Sequence, residues 1–202
     1  MSIFRRLLRR GPDTASTDAL IEMLAARRVV GRAAEDAEAV ARALRLPRGT
    51  RAIAVVALDS EAAPLRHVVA SRIGGDAAGH MGKIVVTGIH VTLDRSALPA
   101  EWPSDWSSVL LAQPEDRGSF AWRPLDATSA GASDAVAMLS ASDRIARLVS
   151  VILNEPQTLQ VEIAPSDSIV RVAAHHTGGE LPPPTMLEAV LGIARAVAGV
   201  EV

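Results

Sequence analysis

Cysteine and tyrosine are both missing from this sequence of 202 residues, and lysine occurs once, as Lys83. Without a thiol there can be no disulfide, no thiolate metal ligand and no cysteine nucleophile. Zinc ribbons, dithiol redox motifs and papain-type chemistry are therefore excluded. Aromatic residues are scarce too, with Phe4, Phe120, Trp102, Trp106 and Trp122 making up the whole set. The core must be built from Ala, Val, Leu and Ile. Long apolar runs are also lacking. The longest, residues 52–58, is the size of a strand, far short of the roughly 18 to 20 residues that cross a bilayer.

What is present is globular composition. Hydrophobic residues make up 49% and charged residues 22% of the chain, unlike the polar, highly charged make-up of disordered segments. The length fits one large domain able to bury a core. The basic residues are almost all arginine, which together with the many alanines reads as the codon usage of a GC-rich genome, so a bacterial chain is expected. The N-terminus is basic, yet Gly11, Pro12 and Asp13 follow where a secretory signal would have its apolar stretch. A cytoplasmic location is the corresponding expectation, peripheral to a membrane if the leading segment engages one.

Along the chain, residues 1–12 read as a basic amphipathic helix. Ile3, Phe4, Leu7 and Leu8 fall on one side and Arg5, Arg6, Arg9 and Arg10 on the other, and Gly11 with Pro12 stops it. Residues 13–202 read as a single α+β domain. Its helical part, 16–46, holds one helix to Val30, ended by Gly31, and another over 33–44. From Arg51 the apolar period shortens to two or to unbroken runs, predicting strands over 52–59, 66–73, 83–93, 108–112 and 120–123. Successive strands without helices between them favour antiparallel pairing over βαβ alternation. The stretch 133–202 reads as helix, hairpin, helix. The helix runs to Leu153, strands 159–163 and 169–175 flank a turn at 165–167, and the last helix follows Pro182, Pro183 and Pro184.

Five features bear on chemistry. The glycines at 74, 75, 79 and 82, with Lys83, resemble a phosphate loop only in composition. The Walker spacing and its hydroxyl are missing and a strand follows, so a hairpin connection is expected. The histidines at 67, 80, 90, 175 and 176 show no metal-ligand spacing, and His175 and His176, adjacent in a strand, point to opposite faces. Ser133 lies in an incomplete G-x-S-x-G and reads as a helix cap. Trp102 and Trp106 could stack on a ligand, but in a core short of aromatics they are expected to fold inward. The helical pair 18–44 carries Glu35, Asp36 and Glu38 where a DNA reader would meet phosphate, so no nucleic acid partner is expected.

Charge is unevenly distributed. Four of the twenty-one basic residues fall in the first ten positions, and against twenty-three acidic residues this leaves the remainder with a net charge of minus six. A cationic amphipathic end on an acidic body suits an anionic membrane surface or a groove on a protein partner. The sequence therefore predicts a binding or accessory protein ahead of an enzyme. Ile3, Phe4, Arg5, Arg6, Leu7, Leu8, Arg9 and Arg10 would be its contact residues, with no metal, no cofactor and no transmembrane segment. The alternative is an enzyme or small-ligand sensor with a pocket near the Gly-rich loop, His80, His90, Trp102 and Trp106.

Overall fold

The computed structural model describes residues 12–46, 49–74, 85–115, 119–178 and 181–200. The basic leading segment, most of the Gly-rich connection and His80 lie outside them. The chain forms an eight-stranded, wholly antiparallel sheet of order β1-β2-β3-β4-β8-β7-β5-β6. In chain order the elements are α1 (Thr14–Ala25), β1 (Gly31–Ala33), α2 (Ala37–Ala43), β2 (Thr50–Leu58), β3 (Leu65–Gly74), β4 (Val85–Asp94), β5 (Leu110–Pro114) and β6 (Phe120–Pro124). Then come α3 (Ala132–Ala141), α4 (Asp143–Leu153), β7 (Thr158–Pro165), β8 (Ile169–Thr177) and α5 (Pro184–Val197). This is the α+β architecture expected from the strand-rich centre.

Four helices tile one face of the sheet. α1 lies on β1 and β2, α5 on β4 and β8, α4 on β7 and β5, and α3 on β6. Beneath them alternate residues such as Val68, Ala70, Ile89, Val91, Leu110, Val161, Ile163, Val172 and Ala174 form the main core, because side chains two apart on a strand share a face. α4 shows how the sequence sets this packing. Ser142 caps it by accepting from Ile145 N, and Ile145, Val149 and Ile152 recur at helical spacing toward the sheet. Among the described residues no helix is long and apolar enough to cross a membrane.

The second face is covered differently. α2 packs there on β2, and Leu44, Ala52, Val55 and Val69 form a smaller buried cluster bordered by Ala37, Val40 and Ala41. Three local differences from the sequence reading have clear causes. The first helix ends at Ala25 rather than Val30, since Arg28 N and Val29 N turn back onto Ala25 O and Leu24 O. Residues 31–33 pair with β2 as a short edge strand instead of starting a helix. The helical stretch from 133 to 153 is broken at Ser142, whose extended backbone ends α3 and caps α4.

Candidate functional site

On the second face, the central strands carry polar side chains where an aliphatic core would be simplest. Direct pairing aligns Ser71, Gly88, His175 and Gln160 in one row across β3, β4, β8 and β7. The next row holds Val69, His90, Ala173 and Glu162, and the one after it His67, Thr92, Arg171 and Ala164. Two small residues make this arrangement possible. Gly88 leaves a gap between Ser71 and His175 into which His90 leans. Ala173 leaves room for His175 and Arg171 to reach Glu162.

The resulting array is continuous. Ser71 Oγ and His90 Nε2 are 2.7 Å apart and hydrogen-bonded. The His90 and His175 rings meet edge to face with centroids 5.4 Å apart. His175 Nε2 stands 3.5 Å from Glu162 Oε2, without the alignment of a hydrogen bond. Arg171 closes the chain by pairing with Glu162 through Nη2 and donating from Nη1 to Leu44 O at 3.3 Å, tying the array to the end of α2. His90 is fully buried and Ser71 2% exposed. The Glu162, Arg171 and His175 side chains keep 10 to 12% of their surface, so the array meets solvent at that end.

Electrostatics follow from this burial. Desolvation pushes the His90 imidazole well below its ordinary pKa, with His175 and Arg171 adding to the effect, so the ring is neutral near pH 7. Burial acts to raise the Glu162 carboxyl, but the His175 and Arg171 side chains outweigh it and hold the group below its usual value. Glu162 is therefore ionised beside a guanidinium. Hydrogen-bonding capacity remains unfilled: His90 Nδ1, His175 Nε2 and Arg171 Nε are buried without a hydrogen-bond partner. Such orphans each cost about 1 to 3 kcal/mol, and native interiors hold few of them.

The sequence-named residues are distributed rather than gathered. His90 belongs to the array, whereas Trp102 and Trp106 belong to the core on the helix-covered side. The indoles stack with ring centroids 5.0 Å apart, Trp106 is fully buried, and its Nε1 donates to Ser108 O at 2.6 Å. Arg95 fixes their loop by donating to Ser104 O, Trp106 O and Ser166 O. A groove of about 600 Å³ runs past Arg95, Leu98, Pro99, Trp102, Ser104 and Asp167, at the opposite end of β4 from the Gly-rich connection. His176 faces the other way from His175, bonded to Thr87 Oγ1 at 2.6 Å. Asp94 is engaged with Arg66. No group of three potential metal-ligating His, Asp or Glu side chains occurs among the described residues. Ile3, Phe4, Arg5, Arg6, Leu7, Leu8, Arg9, Arg10 and His80 lie outside the described residues.

Reading the sequence element by element missed Ser71, Gly88, Glu162, Arg171 and His175 as a group, because they sit on four strands and converge only through pairing. A glycine inside a strand is the one local signal, since it marks a close approach of neighbours. Comparison with family models, with curated proteins and with solved structures returns no match.

Proposed function

We propose that this chain is a non-catalytic binding or accessory protein that accepts a small polar ligand at the solvent-facing end of the array, at His175, Glu162 and Arg171. The carrying observation is the pair of unfilled hydrogen-bonding atoms at that end, Arg171 Nε and His175 Nε2. A ligand supplying the missing partners would recover their desolvation cost. Binding is favoured over Ser71-based hydrolysis for two reasons. A nucleophile's base is normally oriented through its second nitrogen, but His90 Nδ1 has no partner. β3 and β4 are also paired along both edges, which commits their amides to the ladder instead of to an oxyanion. A thermal-shift screen of small polar metabolites tests the reading. A binder should raise the melting temperature of the wild-type chain and not of His175→Ala. If no compound distinguishes the two proteins, the assignment fails.

Charge segregation favours a second contact, in which Arg5, Arg6, Arg9 and Arg10 dock the acidic body on a protein partner or an anionic membrane surface. Deleting residues 1–10 should abolish co-sedimentation with anionic vesicles or with the partner while leaving the melting transition nearly intact. Unchanged sedimentation would remove this reading.

A further inference from the structure

α1 stops in an unusual way. The position after a helix end that takes a left-handed backbone is normally glycine, which has no Cβ to strain. Here it is Arg28, at φ 58°. Arg28 helps line a hollow of about 320 Å³ together with Arg27, Val29, Glu188, Leu191 and Arg195. Arg27 is held in place, donating from Nη1 to Met23 O at 3.0 Å with its Nε 3.6 Å from Glu188 Oε2. That Nε is buried and has no hydrogen-bond acceptor. Neither Arg28 nor Arg195 has a carboxylate partner among the described residues. Val29 and Leu191, both nearly buried, form the apolar floor.

Three arginines and one glutamate thus line the hollow, over an apolar floor, with a formal excess of two positive charges. Arginine forks match the oxygens of a phosphate in planar, paired geometry. We propose that this hollow binds the phosphate group of a phosphate ester, a site separate from the polar array on the other face. The strained Arg28 backbone is then retained for its side chain, since glycine at this position would serve the fold better.

The test uses the full chain and two probes: inorganic pyrophosphate, by calorimetric titration, and phosphatidylcholine vesicles containing phosphatidic acid, by co-sedimentation. Pyrophosphate should bind once per chain, and Arg28→Gly or Arg195→Ala should each weaken it by roughly tenfold or more. Arg28→Gly should melt at the same temperature as the parent or higher, so its loss of binding cannot be loss of fold. Vesicle binding that Arg28→Gly abolishes assigns the phosphate to a lipid headgroup. Pyrophosphate binding with indifference to vesicles assigns it to a soluble phosphate compound. The proposal is overturned if neither probe binds, or if both variants bind like the parent. It is also overturned if the control Arg51→Ala with Arg147→Ala, which removes two charges at exposed positions elsewhere against one in either variant, weakens binding equally.

Discussion

Replacing Gly88 by alanine should destabilise the protein, against the usual tendency of that substitution in a strand. The unfolded chain loses entropy when glycine becomes alanine, which by itself stabilises by about 0.4 to 1 kcal/mol. The folded state opposes this. A Cβ on Gly88 would stand 2.9 Å from His175 Nδ1, nearer than packing allows, and 3.0 Å from both His90 Nε2 and Ser71 Oγ, tighter than most contacts. The three polar atoms must part to admit it, and the 2.7 Å hydrogen bond between Ser71 and His90 breaks first. Overpacking costs about 1 to 3 kcal/mol, and stranding a buried hydrogen-bonded pair adds about 1 to 3 kcal/mol. The net expectation is a destabilisation of about 1 to 5 kcal/mol, read from the midpoint and slope of a urea unfolding curve. Ser71→Ala should be non-additive with it, because removing the hydroxyl gives the new methyl somewhere to go. A Gly88→Ala protein as stable as the parent would refute the claim that these side chains converge over Gly88.

Two further expectations concern the same array. Because the folded His90 pKa lies below that of the unfolded chain, the unfolded state binds the proton first as pH falls. Stability is therefore complete above about pH 6.5 and declines below it, by at most about 1.4 kcal/mol per pH unit for this one group. His67 and His176 are lowered by burial in the same direction, and the depressed Glu162 carboxyl extends the decline to lower pH. His90→Gln, which keeps an Nε2 for Ser71, should flatten the slope between pH 6.5 and 5.5 in urea titrations, and an unaltered slope would count against the assignment. Glu162→Gln should cost about 3 kcal/mol, because it leaves the Arg171 guanidinium buried without its counter-charge. Replacing both residues by Leu and Met should cost less than that single change, and equal losses in chemical denaturation would argue against charge pairing.

The antiparallel sheet could be read from residues 51–123 and 158–176 because period-two patterning and turn residues are local properties of the chain. The hairpin of β7 and β8 is the clearest case, with Val161 and Ile163 alternating against Gln160 and Glu162 and facing Val172 and Ala174. The order of the strands was not legible. β8 inserts beside β4, some eighty residues earlier, and no local pattern encodes which distant edge a strand will join. The edge strand at Gly31–Ala33 escaped notice for a related reason, since three residues are too few for a period to show.

The amino-acid sequence by itself determined an aliphatic α+β protein free of thiol chemistry, with four arginines in its first ten residues and an acidic remainder. Each of those properties depends only on which residues are present and how they are spaced. Only the tertiary structure decided that Glu162, which reads as an outward polar residue of a hairpin, lies buried beside Arg171. The same holds for Gly88, which reads as a weak point in a strand and proves to be the gap where Ser71, His90 and His175 meet. Burial and convergence depend on which strands become neighbours and which face α2 covers, and those are set by the balance of the whole chain rather than by any segment of it.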